Sequence, residues 1–369
     1  MARATKDPAT EVRGAQLGRL ERLPWRNIIL VTLSVLIVSI VSIGAFRTLT
    51  LPPDERYSAD AWRDFIILGV AQGSIYALIA LGYTLVYGIL RMINFAHGEV
   101  FMMGAFAAFF FADAYEASGF LDRHPIPSMA ILLVVAMLAS TSVAVLLERL
   151  AYRPLRNAPR LVPLITAIGA SLFLQNTARG FFGAQSKGFG VPAALGGTWT
   201  ILGLELQRVQ VVVFVTVIVA VAGLSLFIAR TTTGKSMRAV AADREIASLM
   251  GIKVDWVIVI TFAIGGLLAG IAAVLFAITF ETVNFSMGFR PGIAAFTAAV
   301  LGGIGSISGA ALGGVTLGLL QSIGPALILT GYNIPSPFQL KDAFTFFVLV
   351  LVLIFRPSGL LGSGEAEKV

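Results

Sequence analysis

"FIILGVAQGSIYALIALGYTLVYGIL", residues 65–90, runs for 26 residues without a charged side chain. An α-helix rises about 1.5 Å per residue and the hydrocarbon core of a bilayer is roughly 30 Å thick, so about 20 such residues make one span. A soluble helix of this length would carry a polar face. Here Gln72, Ser74 and Tyr76 are isolated polar groups among apolar neighbours, and Gly69, Gly73, Gly82 and Gly88 interrupt the run. The stretch therefore reads as a membrane helix with small residues for close packing, and Gln72, Ser74 and Tyr76 read as lining for a polar route.

The same composition extends in both directions. Of 369 residues 57% are hydrophobic and 13% charged, against roughly 25% charged in soluble domains. Nine further apolar runs lie at 28–46, 100–114, 129–150, 161–182, 211–229, 256–279, 293–304, 307–329 and 343–355, bringing the total to ten. Hydrocarbon leaves backbone groups no outside partner, so each run is expected to be helical and the fold class is an all-α polytopic membrane protein. The runs at 100–114, 293–304 and 343–355 are short of a full span and read as half-helices or re-entrant pieces, which puts the number of spanning segments at eight to ten. The expected organisation is a cytoplasmic tail at 1–27, a transmembrane domain at 28–356 and a second cytoplasmic tail at 357–369.

Lysine and arginine are retained on the cytoplasmic side of membranes. Ten crossings with both termini inside place 18 of the 27 basic residues in the cytoplasm: Arg3, Lys6, Arg13, Arg19, Arg22, Arg26, Arg91, Arg149, Arg153, Arg156, Arg160, Arg230, Lys235, Arg238, Arg244, Lys253, Arg356 and Lys368. The loops assigned outside have mixed or few charges. The first apolar run is longer than a signal-peptide core and no small-x-small site ends it, so it is expected to remain as an uncleaved helix.

Several functions are excluded early. The chain has no cysteine and two histidines, His97 and His124, which leaves no thiolate chemistry and little for a metal site. The net charge of +7 is scattered among apolar runs rather than gathered in a basic stripe with aromatics, so nucleic acid is not an expected partner. Gly234-Lys235-Ser236 has the tail of a phosphate-binding loop, but the required upstream glycine falls at Ala229 and no strand precedes it. No HExxH, GxSxG or paired carboxylates in one apolar helix appear, so an intramembrane enzyme has little to work with. No cofactor is expected on this chain.

A short repeat follows the second and seventh runs. "INFAHG" at 93–98 and "VNFSMG" at 283–288 align Asn94 with Asn284, Phe95 with Phe285 and Gly98 with Gly288. Under the topology above the two copies sit at opposite ends of their helices, as an inverted repeat of five plus five segments requires. The first copy begins "RMINFAHGEVFMMGAF", residues 91–106, which has three readings: a helix cap using Asn94 or His97, a coupling-ion or proton site at His97 and Glu99, and a broken helix whose Asn94, His97 and Glu99 latch a gate or touch solute. Asn284 joins the same group.

Between the sixth and seventh runs, "TTTGKSMRAVAADREIASLMGIKVD" reads from 236 to 250 as one amphipathic helix ended by Gly251. Met237, Val240, Ala241, Ile246, Leu249 and Met250 supply an apolar stripe, while Arg238, Asp243, Arg244 and Glu245 supply charge. Such a helix lies on the membrane or on its own protein, or plugs its stripe into a groove on a soluble partner.

These stretches, with "FTAAVLGGIGSISGAALGG" and the closing "FRPSGLLG", together resemble the LivH-like permease subunits of branched-chain amino acid ABC transporters, over roughly residues 65–362. The resemblance implies a chain without ATPase machinery in the cytoplasmic membrane of a prokaryote. Its implied partners are a second permease, identical or different, two cytoplasmic subunits that bind ATP and magnesium, and an external solute-binding protein. It also implies that residues 236–251 form the coupling helix that receives the ATPase motion. The solute expected is a branched-chain or other neutral amino acid. Urea or short amides are the alternative, and an ion-coupled secondary transporter using Glu99 is a further one.

Overall fold

The computed structural model describes residues 25–362 apart from Asn157, Arg160 and Leu202. Most of the expected N-terminal tail, the last seven residues, and the basic residues Arg3, Lys6, Arg13, Arg19, Arg22, Arg160 and Lys368 lie outside the described residues. The main helices are α1 Trp25–Thr50, α2 Ala59–Leu90, α3 His97–Ala117, α4 Pro125–Leu147, α5 Leu161–Phe182, α6 Arg208–Arg230, α7 Thr232–Ala242, α8 Arg244–Leu249, α9 Val254–Phe280, α10 Phe289–Gly302, α11 Ile307–Gly324 and α12 Lys341–Phe355. Two small antiparallel pairs complete the fold: β1 (Lys187–Gly188) with β4 (Thr282–Val283), and the hairpin β2 (Thr198–Ile201) with β3 (Leu204–Gln207). Among the described residues nine helical stretches are long and apolar enough to cross a bilayer, and α10 is shorter at 14 residues.

The described residues form two compact units. The smaller joins α1 to residues 326–335, where the Tyr332 hydroxyl donates to the Ile40 carbonyl at 2.9 Å. Ile29, Val31, Val35, Val38 and Phe46 of α1 are exposed, as expected of a helix whose solvent is lipid.

In the larger unit α2 and α9 pack against each other and are buried over most of their length. α11 lies along α2 and α4 along α9. A β-carbon on Gly73 would come within 2.7 Å of the Gly314 carbonyl oxygen, and one on Gly69 within 3.0 Å of Leu319 Cα, so α2 and α11 run antiparallel with their backbones nearly touching. Packing at this range replaces the hydrophobic force that lipid cannot supply.

The contacts have an internal exchange. Swapping α2 with α9, α3 with α10 and α4 with α11 converts the pairs α2–α11, α3–α4 and α3–α9 into α9–α4, α10–α11 and α10–α2, all of which are packed. α2 and α9 also end alike, on Arg91 at φ 54° and Glu281 at φ 53°, in a left-handed conformation that non-glycine residues seldom adopt. These two positions keep the spacing of Asn94 and Asn284. The INFAHG and VNFSMG motifs thus follow matching turns at the ends of matching helices.

The structure corrects three boundaries. The run read as a short 343–355 piece continues from a 3-10 turn at Pro337–Leu340 into α12, giving a 19-residue stretch, Pro337–Phe355, long and apolar enough to span. The third run, read as a short 100–114 piece, is a full helix of 21 residues because the polar His97 and Glu99 are buried inside the bundle. The single helix expected over 236–250 is broken at Asp243, whose backbone is extended at φ −154° and ψ 120° and whose carboxylate caps α8 by accepting from Ile246 N at 2.9 Å. Gly251 ends α8 as expected, in a Schellman arrangement with Gly251 N bonded to Ser248 O and Ile252 N to Ala247 O.

Candidate functional site

Helix α2 continues to Leu90, yet α3 begins at His97 beside Gly82 of α2. Eight helical residues, about 12 Å, separate Gly82 from the end of α2, so residues 91–96 fold back into the bundle. The His97 ring occupies the space a side chain at position 82 would need, and it meets the Tyr83 ring edge-on at 4.9 Å. Tyr83 and Phe95 also pack on Phe296 of α10, with centroids 6.0 and 5.6 Å away.

Asn94 does not cap α3 with its side chain. Ala96 occupies the cap position, and the buried Asn94 Oδ1 accepts from the Tyr152 hydroxyl at 2.6 Å. That bond ties the folded-back turn to the end of α4. A few residues away the buried Glu148 pairs with Arg156, which also reaches Asp255 at the start of α9, and Arg153 meets the same Asp255 at 3.0 Å.

The second turn, 281–288, meets the first. A β-carbon on Gly288 would lie 2.6 Å from both Gly98 O and Glu99 Oε2. The two motif glycines therefore touch, with the N-termini of α3 and α10 side by side. Glu99 is 1% exposed; its Oε1 accepts from Ser171 of α5 at 3.3 Å, and its Oε2 has no hydrogen-bond partner among the described residues. Glu99 lines a cavity of about 490 Å³ with Tyr83, Phe95, Ile168, Ser171, Leu172, Gln175 and Ile293. His97 is 2% exposed and does not line it.

A second cavity, about 450 Å³, lies at the other face of this junction and is lined in part by Gln72, Tyr76, Asn284, Ser286, Arg290 and Asp342. Gln72 donates to the Tyr76 hydroxyl, and Asn284 accepts from Ser286 N at 3.1 Å. The sequence candidates thus divide, with Glu99 on one cavity and Gln72, Tyr76 and Asn284 on the other. Ser74 lines neither, and its hydroxyl bonds back to Val70 O at 2.7 Å.

The segment after α6 divides as well. Met237, Val240 and Ala247 are buried within the chain, whereas Ile246 (60% exposed), Leu249 (87%) and Met250 (77%) are not. Arg244, one of the charged residues of this segment, donates through its guanidinium to the Ile89 carbonyl at the end of α2, at 3.1 Å from Nε. Partial burial and the nearby Arg156 and Arg91 hold its basicity below that of a free guanidinium. Arg91 reaches the Ala241 carbonyl at 3.5 Å, and Arg238 bonds Ile228 O. Asp243 and Glu245 remain exposed.

Residues 65–353 match the family described as branched-chain amino acid transport system / permease component. The chain belongs to this family. The permease is 43% identical over 309 residues to the high-affinity branched-chain amino acid transport system permease protein BraD of Pseudomonas aeruginosa, covering 82% of this chain and 97% of that one. It is 42% identical over 306 residues to the corresponding LivH protein of Escherichia coli K12, covering 82% and 96%. The resemblance read from four separated stretches is thereby confirmed. Sequence reasoning missed Tyr83, Tyr152, Ser171 and Gln175. Ser171 and Gln175 stand four apart in an apolar run, the spacing of one helix face, and that signal was available.

Proposed function

We propose that this permease is the membrane-spanning subunit of an ATP-driven importer for branched-chain or other neutral amino acids, which an external binding protein delivers. Two ATP-binding subunits dock on the α7–α8 end, and a second permease completes the route. That end faces the cytoplasm in a prokaryotic inner membrane, which agrees with the gathering there of Arg91, Arg153, Arg156, Arg238 and Arg244. ATP and magnesium belong to the partner subunits.

The observation that carries this reading is the exposure of Ile246, Leu249 and Met250 on and just after a helix that Arg244 anchors to α2. An apolar tip of this kind fits a groove on a soluble protein. Its motion passes through Arg244 to Ile89, then through the Arg91 turn to the N-terminus of α3. The two re-entrant turns separate or approach as the helices rock, alternately exposing the two cavities.

The test is Leu249→Asp with Met250→Asp in the assembled transporter. Both side chains are exposed, so the chain still folds and inserts. Amino acid uptake falls at least tenfold while ATP hydrolysis by the partner subunits persists. Undiminished uptake overturns the docking assignment.

A further inference from the structure

We propose that the cavity beside Glu99 is a solute subsite in which the Glu99 carboxylate receives the α-ammonium group of an aliphatic amino acid. This rests on the transport reading above and assigns that reading a binding site. To remain ionised, a carboxylate inside a membrane protein needs a cation or hydrogen-bond donors on both oxygens. Ser171 serves Oε1, Oε2 is buried with no hydrogen-bond partner among the described residues, and Glu99 is one of the residues lining the cavity. An ammonium group has three donors and no acceptor. Tyr83 and Ser171 line the same cavity, and their side chains carry hydroxyl oxygens able to accept hydrogen bonds.

The rest of the cavity suits the rest of such a solute. Gly288 and Phe289 place the N-terminus of α10 in the wall, and helix N-termini favour carboxylates. Gln175 adds an amide donor. Ile168, Leu172 and Ile293 form an apolar face that accepts a branched side chain. The volume, about 490 Å³, falls in the roughly 300–1,000 Å³ range of small-molecule sites. Residues 168–175 lie in the middle of α5, and the site sits where the two repeats meet, the usual place for solute in repeat-built transporters. Net positive solutes without a carboxylate would lose the α10 contact, and acids without an amine would leave Glu99 unpaired.

The absence of cysteine gives a clean test. In the assembled transporter, Leu172→Cys provides this chain's only thiol, on the cavity wall, and maleimide labelling is read on this chain separated from its partners. Leucine slows labelling at least tenfold. 3-Methylbutylamine, which keeps the amine, protects partially, and 4-methylpentanoate, which lacks it, does not. With Glu99→Gln added, protection by leucine is lost. No protection by leucine, or equal protection by 4-methylpentanoate, overturns the proposal, as does full leucine protection in the Glu99→Gln background. A second variant, Leu172→Ala, lowers the ratio of leucine to alanine uptake by about tenfold, and an unchanged ratio argues against the site. Uptake of labelled leucine by the wild-type transporter is measured in parallel. Uptake without protection removes the subsite alone, whereas no uptake removes the transport reading with it.

Discussion

Substituting alanine at Gly288 tests the meeting of the two turns. The new β-carbon would sit 2.6 Å from Gly98 O and from Glu99 Oε2, where ordinary contact begins at 3.4 Å, so the N-termini of α3 and α10 must part by about 0.8 Å. One of the obstructing atoms is backbone, fixed by helix α3 and the packing of α3 on α4 and α9, so little relaxation is available. Overpacking of this kind costs about 1–3 kcal/mol. For a chain of this size, at ~2 °C per kcal/mol, the apparent Tm should drop by about 2–6 °C. Gly98→Ala meets the reciprocal obstruction, because its β-carbon would press on Gly288 O. Either change opens the same contact, so the double variant costs clearly less than the sum of the singles. Gly169→Ala is the control: nothing lies within 4 Å of its β-carbon, and gain of helix propensity makes it neutral or stabilising by up to about 1 kcal/mol. Fluorescence-detected size-exclusion chromatography of heated, detergent-solubilised transporter measures all four. A Gly288→Ala variant as stable as the control, or a double variant with the full sum, refutes the reasoning.

Three further outcomes follow from the same geometry. Tyr152→Phe removes the donor to Asn94 Oδ1 and leaves a buried acceptor unpaired, at a cost of about 1–3 kcal/mol; thermal stability of this variant and of Asn94→Ala in a double-mutant cycle should reveal coupling, and strict additivity would count against the latch. Arg156→Met strands the fully buried Glu148 carboxylate and should destabilise by about 3–5 kcal/mol, while Glu148→Gln with Arg156→Met recovers part of that loss in the same thermal assay. Arg244→Gln cuts the link from α8 to Ile89; uptake per ATP hydrolysed should fall several-fold with assembly intact, and an unchanged ratio would show that coupling bypasses this arginine.

How much of this was legible in the sequence depends on the solvent each residue faces. Lipid and protein interior are both apolar, so the runs at 28–46 and 65–90 both read as spans although α1 is exposed and α2 buried. Span positions were therefore readable and packing order was not. His97 and Glu99 shortened the third run because a polar residue reads as an end, whereas the fold buries both. The 236–250 stripe was seen, but periodicity alone could not show Asp243 breaking it, nor that Met237 and Val240 face inward while Leu249 and Met250 face out. The Asn-Phe-x-x-Gly echo was visible as letters. What only the structure adds is that Gly98 and Gly288 touch, because contact between residues so far apart in sequence is set by helix packing rather than by local pattern.

The internal symmetry is broken at the two turns. The Arg91 turn is tied to α7 by Arg91 itself, to α8 by the Arg244–Ile89 bond, and to α4 by Asn94–Tyr152. Its counterpart at Glu281 is bounded instead by the small β1–β4 pairing and by the Arg290–Asp342 contact of 3.5 Å, on the side of the second cavity. A symmetric pair of turns would move together and leave their contact unchanged. With one turn fastened to α7 and α8 and the other to the opposite end, the proposed displacement of α8 would shift Gly98 relative to Gly288, and Glu99 with it. Glu99, whose Oε2 has no partner among the described residues, thus lies beside the Gly98–Gly288 contact, where the proposed motion would act on a solute held in the proposed subsite.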